Sequence, residues 1–228
     1  MPMKLVIFDC DGTLVDSQHN IAAAMAHAFA AHDLAAPARA AVLGVVGLSL
    51  PEAFRALAGE HPRDLQASLA EHYRGAFASG ALAHRADEPL YAGIATAIAV
   101  LSARADVVLG VATGKSKRGV QRVVDREGWQ GAFRTIQTAD DHPSKPHPSM
   151  ILKAMAEAGA EPRTTVMIGD TTFDMEMARN AAVGAIGVGW GYHPVAQLTA
   201  AGAHAIVSEG DRLIAAIEQR LGEQERGA

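Results

Sequence analysis

Apolar residues in this chain recur in short runs that end at acids, prolines or glycines. Residues 4–8, Lys-Leu-Val-Ile-Phe, form a β-branched and aromatic run closed by Asp9, Asp11 and Gly12, the pattern of a buried strand that stops at a turn. Runs of the same kind recur at residues 107–112, 135–138, 166–168, 185–188 and 205–207, and most are separated by stretches compatible with helices. That alternation predicts an α/β fold with a doubly wound, Rossmann-like and mostly parallel sheet.

Between Ser17 and Arg85 the texture changes. Alanine is frequent, β-branched runs are scarce, and Ile21, Met25, Ala28 and Phe29 fall at helical spacing. Pro37, the pair Gly44 and Gly47, Gly59, Pro62 and Gly80 cut this block into several helices. Residues 17–85 therefore read as a small helical domain inserted after the first strand, with residues 1–16 and 86–228 forming the core. Glu88-Pro89 precedes a further helix expected to start near Tyr91.

Composition narrows the partners. With 228 residues, 49% of them hydrophobic, the chain can bury a large core, which excludes general disorder. Lys and Arg number 20 against 25 Asp and Glu, a formal charge of −5 without a basic run, so neither nucleic acid nor an anionic membrane is expected as the main partner. The longest apolar stretch, residues 92–103, is shorter than the roughly 18–20 residues of a bilayer span. The first residues lack the form of a secretory signal, and Cys10, the one cysteine, can form no intrachain disulfide. A cytoplasmic protein, monomeric or homodimeric, is the expectation.

Chemistry concentrates where strands end, which is where an open parallel sheet binds ligands. Asp9-Cys10-Asp11-Gly12-Thr13 follows the first strand. Two carboxylates held close disfavour each other's ionisation, and a hard divalent cation offsets that. One acid could then attack an electrophile while the other transfers a proton. Alternatively they are solvated turn acids. Cys10, between them, points the other way on a strand, toward the core.

Thr113-Gly114-Lys115-Ser116 follows the next strand and opens a helix, either as a phosphate seat of hydroxyl and free N–H groups or as an ordinary Thr cap. It is no nucleotide P-loop, because Leu109 stands where that loop needs glycine. Lys145 lies in a loop stiffened by Pro146 and Pro148, a fixed cation or a surface lysine beside a turn. Asp170 ends an apolar strand, and Asp174 lies in the first turn of the next helix, able to ligate a cation or to favour the helix start. Residues 184–191 are glycine-rich, yet Tyr192 breaks the dinucleotide pattern. The histidines show no zinc spacing. A nucleophile, a proton shuttle, two anion stabilisers and metal-binding acids together suit phosphoryl transfer.

These segments, in this order, resemble the four motifs of the haloacid dehalogenase superfamily, and the resemblance spans nearly the whole chain. The site of the helical insertion is similar to that of a type C1 cap, and the branch it looks most like is the phosphoglycolate phosphatases. The resemblance implies that Asp9 is a nucleophile that becomes an aspartyl-phosphate and that Asp11 protonates the leaving alcohol and later activates water. It implies that Thr113, Gly114 and Lys145 hold the phosphoryl group. Mg²⁺ is then held by Asp9, the Asp11 backbone carbonyl, Asp170 and Asp174, and residues from Gly12 to Asp16 form the hinge of the cap. A small phosphorylated metabolite such as phosphoglycolate is the implied substrate.

Other branches of the superfamily fit less well. Dehalogenases lack an acid at the place of Asp11, and phosphonoacetaldehyde hydrolases need a cap lysine, of which residues 17–85 have none. A phosphosugar mutase carries a hinge histidine where Ile21 stands, with His19 two residues short. Sugar and nucleotide phosphatases remain alternatives. A signalling receiver domain keeps its phospho-acceptor on a later strand, and an idle binding module would not need every catalytic position filled. In the cap, Gly47 and Ser49 lie in a turn read first as a helix connection and second as a loop that touches substrate, and Arg55 could meet a substrate carboxylate or stay solvated.

Overall fold

The computed structural model describes residues 3–59, 61–78 and 88–226. Six strands form one sheet: β1 (Lys4–Phe8), β2 (Val107–Thr113), β3 (Phe133–Thr138), β4 (Thr165–Gly169), β5 (Gly184–Val188) and β6 (Ala205–Val207). They run in the spatial order β3-β2-β1-β4-β5-β6, and every neighbouring pair is parallel. Each expected strand is present within two residues of its expected ends.

Strand parity divides the core into two layers, because successive side chains point to opposite faces. Val6 and Phe8 face one way with Leu109, Ile168 and Ile186, and are covered by α5 (Ile94–Ser102) and α10 (Leu213–Arg226) through Ile98, Leu101, Leu213 and Ile217. α6 (Lys117–Glu127) covers the β2–β3 end of the same face through Val120 and Val124. Leu5 and Ile7 face the other way, under Met150 and Ile151 of α7 (Ser149–Ala158), Met175 and Met177 of α8 (Thr172–Asn180), and Leu198 of α9 (Val195–Ala200). Cys10 packs in the first layer, 1% exposed, as its parity predicts.

The alanine-rich block is helical: α1 (Gln18–Ala30), α2 (Arg39–Leu43), α3 (Leu50–Ala58) and α4 (Arg63–Ala78). Its breaks fall near Pro37, at Gly44 and Gly47, and at Gly59 and Pro62, and the break expected at Gly80 lies outside the described residues. Ile21, Met25, Ala28 and Phe29 pack with Val42, Val46, Phe54 and Leu69 into a third apolar cluster, separate from the two sheet layers. The two chain passages between block and sheet run side by side. The amide of Asp16 donates to the carbonyl of Pro89 at 2.9 Å, and that of Tyr91 to Leu14 at 3.1 Å. The expected end of the helical block at Arg85 lies outside the described residues. α5 begins at Ile94 rather than near Tyr91, because Gly93 takes a left-handed φ of 84° immediately before it. Among the described residues, no helix is long and apolar enough to cross a membrane.

Candidate active site

β1 and β4 are neighbours at the centre of the sheet, and the strands that follow each in sequence lie to opposite sides of it. A crevice opens at such a switch point, beyond the carboxyl ends of the strands. Asp9 follows β1, its amide bonded to the Ile168 carbonyl at 2.9 Å, and Asp170 follows β4. These two acids and Asp174 are buried, and each offers a carboxylate oxygen within 4.8 Å of the others. Lys145 enters from the loop after β3, with Nζ 2.6 Å from Asp174 Oδ1 and 3.0 Å from Asp9 Oδ1. A buried ammonium is costly unless it is paired. Burial by itself lowers the pKa of Lys145, but Asp174 and Asp9 outweigh that and hold it above its ordinary value.

Local structure fixes each acid. Thr171 caps α8 and Asp174 completes the capping box, its Oδ2 accepting from the Thr171 amide at 3.0 Å and hydroxyl at 2.7 Å. Asp174 is therefore both a helix-start acid and a partner of Lys145. Asp170 accepts from the Thr13 hydroxyl at 2.8 Å and from the Tyr192 amide at 2.9 Å. Gly12, with φ of 85°, and Gly191 lie so close to this carboxylate that a methyl group on either would overlap it. The glycine-rich stretch before Tyr192 thus ends by closing around Asp170.

Three carboxylates against one ammonium leave a formal charge of −2 in a buried site. Burial pushes the Asp9 carboxyl up, with Lys145 opposing and Asp174 reinforcing. Asp170 is pushed well up by burial, then by Asp174 and Asp9. Asp9 Oδ1 lies 3.0 Å from Lys145 Nζ, and hydrogen bonding from Thr113 and Lys145 opposes the effect of burial on Asp9 without cancelling it. Excess negative charge on buried, oxygen-only donors fits a hard divalent cation such as Mg²⁺.

The Asp11 carboxylate stands outside this cluster. Its Oδ1 accepts from Ser17 Oγ and from Lys115 Nζ, both at 2.6 Å. Lys115 also lies 3.8 Å from Glu88, which accepts from Asn20 at 2.9 Å, and the Tyr192 hydroxyl lies 3.2 Å from both the amide and Oγ of Ser17. Sequence reasoning missed this arrangement. Lys115, whose sequence reading was confined to the discarded P-loop, is the cation that orients Asp11. A lysine two residues beyond Thr113 at a strand end was the available signal, whereas Glu88, Asn20 and Tyr192 gave none, being remote in sequence.

Above Asp9 and Asp11 lies a cavity of about 440 Å³ whose floor includes Thr113, Gly114 and Lys115 and whose roof comes from α1 to α4. Gly47 and Ser49 line it, so the turn at residues 44–49 reaches the floor instead of merely joining helices. The Ser49 amide donates to Ser144 Oγ at 2.8 Å, beside Lys145. A Cβ on Gly114 would stand 2.6 Å from the Gly47 carbonyl oxygen and 2.7 Å from that of Leu48. Arg55 does not join the site. It is 65% exposed and pairs with Glu52 at 2.7 Å on the outer side of α3.

A family model described as haloacid dehalogenase-like hydrolase matches residues 6–188. The chain belongs to that family. Among relatives of the haloacid dehalogenase-like chain is the probable phosphatase IndB of Dickeya dadantii, 36% identical over 222 residues, which cover 95% of this chain and 94% of the relative. The phosphoglycolate phosphatase of Agrobacterium fabrum is 30% identical over 200 residues, covering 84% and 82%. The crystal structure of a predicted phosphatase from Clostridium acetobutylicum has the same fold, with a TM-score of 0.84 at 24% identity over 96% of this chain and all of that one. With these relatives, the chain stands among the phosphatases of the family.

Proposed function

We propose that this protein hydrolyses a small phosphate monoester through a phosphorylated Asp9, with Mg²⁺ as cofactor. The observation that carries this reading is the convergence of Asp9, Asp170 and Asp174 at the switch point of the sheet, with Lys145 paired to Asp9 and Asp174. Asp9 lines the cavity, so its carboxylate can meet a phosphorus atom there. An Asp9 oxygen attacks phosphorus, the bond to the leaving oxygen breaks, and Asp11 supplies the proton that the departing alkoxide needs. Water then attacks the phosphoryl group on Asp9, Asp11 accepts its proton, and inorganic phosphate leaves with Asp9 regenerated.

Thr113, the Gly114 backbone and Lys145 would hold phosphoryl oxygens, the role of pre-aligned donors. Asp9, Asp170 and Asp174, with the Asp11 carbonyl, would hold Mg²⁺, which when bound neutralises charge on the phosphoryl oxygens. Residues 17–85 act as a cap of the C1 type on a hinge at Gly12–Asp16, and closing it excludes bulk water. A hydrolase is favoured over a phosphosugar mutase because Ile21 lies in the apolar cap cluster and His19 is exposed. The family resemblance and the name of the Agrobacterium relative make phosphoglycolate one candidate substrate to be tested. The setting is cytoplasmic, where the buried free thiol of Cys10 stays reduced.

With a generic aryl phosphate and Mg²⁺, hydrolysis is expected, and Asp9→Asn or EDTA should abolish it, a loss of at least about 10³-fold for a missing nucleophile. Turnover that survives either treatment would refute the mechanism.

A further inference from the structure

The cavity above Asp9 is larger and more apolar than a two-carbon acid requires. At about 440 Å³ it lies in the range that encloses a drug-sized ligand. Its roof is the inner edge of the cap's own core: Met25, Val42, Val46, Leu50 and Tyr73 line the cavity and also belong to, or pack against, the cap cluster. Tyr73 is wedged between two rings, 6.1 Å from Phe54 and 5.4 Å from Phe77, so that wall is held by packing.

Charge is divided in this cavity: Arg74, Arg118 and Arg122 line it as well as Lys115, so the apolar roof and not charge decides which leaving group fits. A glycolate carboxylate would lie within a few ångströms of the phosphoryl group and needs a cation there. Lys115 lines the cavity, and it is already shared by Asp11 at 2.6 Å and Glu88 at 3.8 Å. Arg55, the cap residue considered for that task, faces solvent. A second anion beside Lys115 would meet the two carboxylates that already share that lysine.

We propose that the leaving group is a bulky alcohol with an apolar or ring-bearing face, seated against Val46, Leu50 and Tyr73, and not a short acid. This rests on the phosphatase reading, and the experiment separates the two. Ethyl phosphate, 2-phenylethyl phosphate and 2-phosphoglycolate are compared as substrates with Mg²⁺, and ethylphosphonate and 2-phenylethylphosphonate as ligands by calorimetry. The two alkyl esters have leaving alcohols of similar acidity, so their ratio reports the roof alone.

The expected result is kcat/KM at least tenfold higher for the phenylethyl ester than for the other two, with the same preference in phosphonate binding, as burial of one ring implies. Val46→Phe, which fills space beside the roof, should bring the two alkyl esters within about threefold by the same reasoning. Equal rates and equal binding, a preference for phosphoglycolate, or a ratio untouched by Val46→Phe would overturn the proposal. If no ester is hydrolysed yet the phosphonates keep the tenfold preference, the phosphatase reading fails and the assignment of the cavity stands.

Discussion

Asp170 shows how much of this site depends on residues that carry no reactive group. It accepts one bond from the Thr13 hydroxyl and one from the Tyr192 amide, and it is enclosed by Gly12 on one side and Gly191 on the other. Partners that orient a ligating carboxylate commonly change metal affinity by about 10–100-fold when they are altered. Gly191→Ala is the cleaner test of the two glycines, because its backbone φ is not left-handed and the added methyl acts only by overlapping the carboxylate. The expected outcome is a rise of at least tenfold in the Mg²⁺ concentration for half-maximal activity, together with a lower temperature of unfolding of the metal-free protein, since overpacking a filled site costs about 1–3 kcal/mol. A Mg²⁺ titration of activity beside a melt in EDTA measures both, and an unchanged titration would mean that Asp170 tolerates displacement.

The turn between α2 and α3 is a part of the helical block that reaches the floor of the cavity, and Gly114 is what lets it seat. The carbonyls of Gly47 and Leu48 approach the Gly114 Cα so closely that a methyl there must push the turn away. Gly114→Ala should therefore raise KM and lower kcat together, by about tenfold or more in kcat/KM, while leaving the Mg²⁺ requirement unchanged, as expected for a displaced closing element. Steady-state kinetics across a Mg²⁺ series separates that from a metal defect.

This contact also marks where sequence stops being informative. The strands were legible because β-branched runs and flanking acids are local signals, and Asp9, Thr113, Lys145 and Asp170 were legible because each sits at a strand end or in the loop that follows one. Glycines at 44 and 47 give the same signal whether a turn is idle or pressed onto another element. The bonds from Lys115 and Ser17 to Asp11, and from Tyr192 to Asp170, depend on elements placed by the whole fold, so no spacing could announce them. Arg55 reads as a ligand or as a solvated helix residue from sequence alone, and only its pairing with Glu52 decides for the second.

For the whole molecule, the burial of three acids makes metal binding part of stability. Asp9 and Asp170 have folded-state pKa values raised above the ordinary carboxyl value of 3.8, first by burial. The folded state therefore keeps protons that the unfolded chain releases, and metal-free stability is lost as pH rises from 3.8 through the raised values. His142, His193 and His204 act with the opposite sign. Burial lowers their pKa values, so their contribution is lost as pH falls below about 6.5. A melting curve in EDTA mixes the two effects, but the difference between curves with and without Mg²⁺ removes the histidines, which lie outside the acid cluster. Mg²⁺ replaces protons on the acids, so its binding strengthens as pH rises. At a hundred times its Kd the ion adds about 2.7 kcal/mol, a Tm gain of roughly 5–10 °C for a chain of this size. That gain should grow as pH rises from about 3.8 through the raised pKa values of Asp9 and Asp170, and vanish at every pH in the Asp170→Asn variant. A gain independent of pH would place the ion somewhere other than the three carboxylates.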